Sequence, residues 1–313
     1  MGMPVVTVAS GGMPVVEATF GTPVTEAANG YGVPVTKVVG KPGLPVVFET
    51  IGVGGGGGTG GTEAQAFLAR TSGLDATHTN AYIVLIDGLV ADGIWNKFDM
   101  LHVYATQNSA TALLNLVSAS YAGTAFGSPV FTADRGFTGG ADNNSTVYID
   151  TGFNASTAPS PKSVQTSAHI SAWSVTTVAN TNEAIMGATN TGAETNLMPR
   201  DNSTGMVLFR INSNGGINIA NATQIGHYLA NRSDTSNIQG YKNGGQIVSH
   251  TSRPSQPPLN LNYTTLSGNT VSFGHHGSPY QCAMASIGSS LNATEVTNFY
   301  SRLRTYMTAV GVP

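Results

Sequence analysis

Apolar and polar residues follow two different periods along this chain, and the period changes with position. Between Thr79 and Gly93 the apolar residues Tyr82, Ile83, Leu85, Ile86, Leu89 and Val90 recur at helical spacing, and Gly93 suits the end of that helix. A buried strand at residues 82–86 is the competing reading, because that run is continuously apolar. Upstream, Thr62-Glu-Ala-Gln65 has capping-box spacing ahead of Ala66-Phe67-Leu68-Ala69 and predicts a helix opening at Thr62. After Trp95 the pattern turns strand-like at residues 101–105, so residues 62–128 read as a mixed helix/strand lead-in. From residue 129 short alternating runs dominate. They predict strands at 130–133, 146–150, 167–175, 184–188, 206–211, 216–220, 227–232, 238–242, 246–250, 271–274 and 282–287. Asn243-Gly244 supplies the positive φ values of a tight hairpin between two of them. The chain closes on a helix: Asn292-Ala-Thr-Glu295 is a capping box, and Val296, Phe299, Tyr300, Leu303, Met307 and Val310 form an apolar stripe suited to packing on a sheet.

Residues 1–53 follow neither period. They repeat a phrase roughly every ten residues: Met3-Pro4-Val5-Val6, Met13-Pro14-Val15-Val16, Thr22-Pro23-Val24-Thr25, Val33-Pro34-Val35-Thr36 and Leu44-Pro45-Val46-Val47. Proline removes a ladder donor, so each unit suits an edge strand or a strand that begins at its proline. Segments so short bury no face alone. Pro4, Val5, Pro14, Val15, Pro23, Val24, Pro34, Val35, Pro45 and Val46 are therefore read as an anchoring and oligomerisation arm that orders against other chains. The alternative is a disordered Pro/Gly tail. The Gly-rich stretch 54–61 is a linker, and no Gly-Lys-Ser/Thr follows it to make a phosphate loop.

Charged residues make up only 9% of the 313, against roughly a quarter in ordinary soluble domains. Solubility must come from Thr, Ser, Asn, Gln and Gly, a habit of particle-borne and extracellular β-proteins. The net charge of -3, without a Lys/Arg cluster, argues against a nucleic-acid partner. The longest apolar run, residues 81–86, is too short to cross a bilayer, so no membrane insertion is expected, and the N-terminus lacks a signal-peptide pattern. Cys282 stands alone in an apolar stretch and reads as a small buried hydrophobe.

Ala133-Asp-Arg-Gly-Phe-Thr-Gly-Gly140, Tyr148-Ile-Asp-Thr-Gly-Phe153, Gly240-Tyr-Lys-Asn-Gly244 and Ala285-Ser-Ile-Gly-Ser-Ser-Leu-Asn-Ala-Thr-Glu-Val296 occur in an order that resembles a concanavalin A-like lectin/glucanase (LamG-like) sandwich of tailed-phage and prophage structural proteins. The lead-in Asp92-Gly-Ile-Trp-Asn-Lys-Phe-Asp-Met-Leu-His-Val103 is similar to the segment that precedes such domains. The resemblance covers residues 62–311. It implies a mainly β fold: an antiparallel sandwich (jelly roll) at 129–313 with a helical lead-in and a C-terminal helix. It implies a particle component that in some cases binds glycans, but no activity, because such folds host many functions.

Retaining glucanases need two carboxyl groups about 5 Å apart, which on one strand would appear as Glu-x-Asp or Asp-x-Glu. No such pair occurs; Glu183 and Glu194 stand alone, and Asp134, Asp142 and Asp150 are scattered near turns. No Gly-x-Ser-x-Gly elbow is present. An enzyme is not expected, nor a cofactor or metal. Asp142-Asn143-Asn144 has oxygen donors suited to Ca²⁺ but reads better as a turn. His275-His276 would point to opposite faces of a strand and chelate poorly together, so they are expected as loop or strand-end residues. Of the two tryptophans, Trp95 and Trp173, the second lies in an alternating strand and is expected in the core. For glycan contact the candidates are Tyr241, Asn243, His275, His276 and Tyr280, with both tyrosines expected to be exposed. These readings combine into a non-enzymatic virion protein, a capsid decoration, head spike or fibre on the virion surface, assembled in the host cytoplasm. Its expected partners are its own chain as a homotrimer, the capsid or tail proteins, and host-surface glycans. A tail-borne adhesin for host polysaccharide is the alternative.

Overall fold

The computed structural model describes residues 6–7, 15–16, 59–178, 183–190, 193–201, 204–270 and 274–312. The chain divides into two units, Met1–Gly58 and Thr59–Pro313. In the first, β1 (Val6–Thr7) pairs antiparallel with β2 (Val15–Val16), Val6 opposite Val16, so equivalent positions of successive repeats face each other. Of the anchoring residues, Val15 lies in β2. Pro4, Val5, Pro14, Pro23, Val24, Pro34, Val35, Pro45 and Val46 lie outside the described residues, as does the linker up to Gly58.

The second unit opens with α1 (Thr62–Leu68) and α2 (Ala76–Ala91). The N-cap of α1 is Gly61, one residue before the expected Thr62, and no side chain caps it. The orphan donor is met from outside the helix: Gly61 N–H donates to Asp87 Oδ1 on α2 at 3.0 Å, and Gln65 Nε2 reaches back to the Gly60 carbonyl at 2.8 Å. At residues 82–86 the helix prevails over the strand, with Asp75 accepting the His78 N–H as its N-cap and Tyr82, Leu85, Ile86 and Leu89 buried on one side.

The strands follow in order: β3 (Phe98–Val103), a short α3 (Ser109–Ala112), β4 (Thr124–Phe126), β5 (Val130–Thr132), β6 (Gly136–Thr138), β7 (Tyr148–Asp150) and β8 (Ala168–Ser174). Next come β9 (Met186–Asn190), β10 (Ala193–Asp201), β11 (Met206–Ser213), β12 (Ile217–Ala220), β13 (Gly226–Arg232), β14 (Ile238–Lys242) and β15 (Gly245–His250). The last are β16 (Thr264–Thr265), β17 (Ser267–Thr270), β18 (Gly274–Gly277) and β19 (Gln281–Gly288), before α4 (Ala293–Ala309).

Two sheets result. The first runs β15-β14-β13-β8-β19-β6-β5, with β3 also on β19. The second runs β12-β11-β10-β9-β16-β7-β4, with the β17–β18 hairpin added through β9. Pairing is antiparallel except where β17 meets β9. Between the sheets, Ile170, Ala172, Tyr228, Ala230, Ile238 and Ala285 pack with Leu197, Val207, Phe209 and Ile211. The fold is thus a mainly β antiparallel sandwich with N-terminal helices and a C-terminal helix.

A second core lies on the other side of the first sheet. Leu101, Val103, Trp173, Leu229, Tyr241 and Ala283 pack there with Phe67, Tyr82, Leu85, Phe299, Leu303 and Tyr306 of the helices. The first sheet is therefore covered on both faces, and β8 and β13 are buried along their whole length. Small residues at Ala168, Ser171, Ala172 and Ala230 make room for both layers. The lead-in is consequently part of the sandwich unit, since β3 pairs with β19 and α2 lies against α4. The capping box of α4 forms on both arms, Asn292 Oδ1 accepting from Glu295 N–H and Glu295 from Asn292 N–H.

The Asn243-Gly244 hairpin forms with φ of 50° and 78°. Strand β10 escapes the alternating pattern because Pro199 reads as a strand break. It is accommodated where the β10–β11 register shifts between Met198 and Asp201. The strand expected at 271–274 falls mostly outside the described residues, with β17 and β18 on either side of it.

Candidate functional site

Three rings from three separate strands line up on the β4 side of the second sheet. Phe126 on the edge strand β4 stands directly opposite Tyr148 on β7, and their rings stack with centroids 4.8 Å apart and 17° between planes. On its other face Tyr148 stacks against His275 of β18, at 3.5 Å and 22°. Cross-strand aromatic pairing of this kind stabilises a sheet edge. An isolated bridge between Asn144 and Gly277 holds β18 beside the turn that leads into β7. Tyr148 is sandwiched, so the outward ring face belongs to Phe126, which is 42% exposed.

Ionisable groups cluster at the histidine end. His276 points away from His275, as alternation along a strand requires, and its Nδ1 lies 3.5 Å from Glu183 Oε2. Burial pushes the Glu183 carboxyl up; His276 opposes that shift and the nearby Asp142 adds to it. Burial pushes His275 down, against the pull of Asp150. Asp150 is fixed by Asn262 Nδ2, at 3.1 Å from both oxygens, and by the Gly152 N–H at 2.8 Å. The Asp142-Asn143-Asn144 segment is a turn: Asn143 has φ of 57°, and Asn144 Oδ1 accepts from the Thr146 N–H and hydroxyl at 2.8 Å. The Asp150–Asn262 pair lies two residues along β7 from Tyr148, while Glu183, His276 and Asp142 cluster at the histidine end of the ladder, away from the exposed Phe126 ring.

His275 and His276 thus come together, in the body of a strand rather than in a loop. The other three candidates do not join them. Tyr241 is 2% exposed, because its position on β14 faces the helices and not solvent. Tyr280 is 0% exposed, and its hydroxyl donates to the Arg200 carbonyl at 3.1 Å. The expectation that both tyrosines are exposed is corrected on this ground. Asn243 is exposed at its hairpin in the first sheet, where its Oδ1 accepts the His227 N–H at 2.9 Å. Sequence reasoning missed Phe126 and Tyr148; an uncharged run from Tyr121 to Thr132 and the Tyr148-x-Asp150 spacing were the available signals.

Trp95 and Trp173 are core residues, and Arg304 lies over the Trp173 ring at 5.3 Å. Cys282 is buried with its thiol against the Met284 carbonyl, and burial pushes its pKa up to about 12. Among the described residues no helix is long and apolar enough to cross a membrane.

No family profile matches the chain, and no curated protein matches it. Among solved structures it is similar to domain 4 of an extracellular arabinanase from Geobacillus stearothermophilus in complex with arabinotriose. That match has a TM-score of 0.43 at 14% identity, covering 65% of this chain and 98% of that one. It is also similar to the botulinum neurotoxin serotype D binding domain (TM-score 0.43, 11% identity, 67% of this chain and 52% of that one). A third is the binding domain of Paraclostridial Mosquitocidal Protein 1 (TM-score 0.42, 13% identity, 66% and 52%). The chain spans about half the length of the two toxin domains. All three are distant likenesses to β-sandwich domains named for carbohydrate complexes or for binding.

Proposed function

We propose that this protein is a non-enzymatic display protein of a virus particle whose β-sandwich binds glycans weakly and in many copies. The observation that carries the binding part is the Phe126–Tyr148–His275 ring ladder, with Phe126 42% exposed at its outer end and Asp150 two residues along β7 from Tyr148. The site lies at a sheet edge, which suits modest affinity per copy, and avidity then comes from multiplicity. The particle part rests on the sequence: the Pro-Val repeat arm as anchor and trimerising element, the scarcity of charge, and the resemblance to phage structural proteins. In this reading the chain assembles as a homotrimer in the host cytoplasm. It docks on capsid or tail proteins and presents the sandwich on the virion surface as a decoration, spike or fibre. The single acidic residues around the ladder serve as hydrogen-bond acceptors, without a catalytic role.

The test is immunogold electron microscopy of particles from the source culture, together with a host-surface oligosaccharide panel probed with the full chain. Label on particles with selective retention of some oligosaccharides is the expected result; label on the tail tip would mark the adhesin variant. Unlabelled intact particles would overturn the virion role, and release of reducing ends from the panel would overturn the non-enzymatic one.

A further inference from the structure

His78 sits in the first turn of α2, buried, and both of its ring nitrogens meet carboxylates. Nδ1 is 2.7 Å from Asp75 Oδ1, the N-cap of its own helix, and Nε2 is 2.7 Å from Asp134 Oδ1. Asp134 belongs to the turn between β5 and β6, where it adopts φ of 59° and donates its N–H to the Thr106 carbonyl at 3.0 Å. A neutral imidazole carries one N–H, so it satisfies one of these carboxylates and turns a lone pair on the other. Only the imidazolium donates to both.

We propose that protonated His78 is a clamp that fastens the β5–β6 turn to the start of α2, and that loss of its proton loosens this sheet edge. The clamp adds to the hairpin's other ties, the buried Phe137 and the Asp134 N–H bond to the Thr106 carbonyl. β5 is the last strand of its sheet, β6 pairs with β19 at only Thr138 and Phe137, and Val130 is 63% exposed. Gly127-Ser128-Pro129 joins β5 to β4, so the clamp also braces the strand that carries Phe126. The other titratable groups acting on the pair are the phenols of Tyr82 on α2 and Tyr306 on α4, both kept neutral by burial, Tyr82 pushed up to about 12. The charge balance is therefore one cation between two anions. Burial works against the charged ring, and the hydrogen bonds to Asp134 and Asp75 outweigh it, raising the His78 pKa. A raised folded-state value means that the stabilisation is complete below the unfolded value of about 6.5 and is lost as pH rises through the folded value. The clamp thus holds below about pH 6.5 and opens as pH rises through the raised folded-state value. It stands whether or not the Phe126 edge binds sugar.

The test follows the imidazole nitrogens of the full chain by NMR and amide exchange of residues 130–138 across the same pH range. Exchange is corrected for its intrinsic pH dependence by reference to β11. Expected are two protonated ring nitrogens below the midpoint, a midpoint above about 6.5, and an opening of the hairpin by about tenfold or more once the midpoint is passed. Asp134→Asn should lower the His78 midpoint and leave the hairpin loose at every pH. A His78 midpoint at or below about 6.5, or a hairpin whose protection ignores that midpoint, would overturn the proposal. Both results are read from the unmodified protein, so they hold even if the variant does not fold.

Discussion

Arg232 is 0% exposed, yet among the described residues no carboxylate lies within ion-pair distance of it. It ends β13 in the first sheet, and its guanidinium crosses to the second. Nε donates to the Ile211 carbonyl on β11 at 2.9 Å, Nη2 to the Arg253 carbonyl at 2.9 Å and Nη1 to the Asp234 carbonyl at 3.2 Å. Truncation in Arg232→Ala strands these acceptors differently. Ile211 is fully buried, while Asp234 and Arg253 are half-buried and near enough to water to be rehydrated. One buried unpaired carbonyl costs about 1–3 kcal/mol, and the void left by the side chain adds about 2 kcal/mol, for a total near 3–5 kcal/mol. Arg232→Met keeps most of the volume and removes a buried charge, so its loss should shrink to about 1–2 kcal/mol. Urea unfolding of the full chain reads both values. With m about 3 kcal/mol/M, the alanine variant should lower the midpoint by about 1–1.7 M at unchanged m. If Arg232→Met is as stable as the parent, the three hydrogen bonds contribute nothing net. If Arg232→Ala costs under about 1 kcal/mol, the stitch between the sheets is wrong altogether.

Other outcomes follow from the same contacts. Asn292→Ala removes the cap that accepts from Glu295 N–H and should cost about 1 kcal/mol in thermal or urea unfolding. Gly136→Ala should cost about 3 kcal/mol or more, because φ is 90° there and a Cβ would lie 2.0 Å from the Cys282 carbonyl oxygen; normal expression and midpoint would contradict the β6–β19 contact. Phe126→Ala should cost only about 1 kcal/mol of stability, since the ring is 42% exposed and its stacking on Tyr148 contributes about that much. The Cys282 thiol should resist a thiol reagent in the native protein and react fully in denaturant, because it is buried and its pKa lies near 12.

What the sequence made legible was local. The α4 capping box, the Asn243-Gly244 turn and the apolar stripe of α2 each depend on residues within a few positions of one another; the first two form as written, and the stripe buries Tyr82, Leu85, Ile86 and Leu89 but leaves Val90 exposed. Face coverage was not legible. Tyr241 alternates on its strand as an outward residue would, and only the packing of the helices on the first sheet decides that this face is interior. The ring ladder was hidden for a related reason: residues 126, 148 and 275 are far apart in sequence and meet through β-pairing across β7 and the bridge from Asn144 to Gly277. His275 was singled out from its neighbour in sequence, His276, while its actual partner is a tyrosine more than a hundred residues away.

The most direct measurement is oligosaccharide binding by the full chain, compared among the parent, Phe126→Ala and Asn243→Ala on one host-surface panel. Phe126→Ala should weaken binding about tenfold or more, equivalent to about 1.4 kcal/mol, with its fold intact, and Asn243→Ala at the far hairpin should match the parent. Binding that survives loss of the Phe126 ring, or that falls with Asn243 instead, would contradict the assignment of the β4 edge as the glycan site.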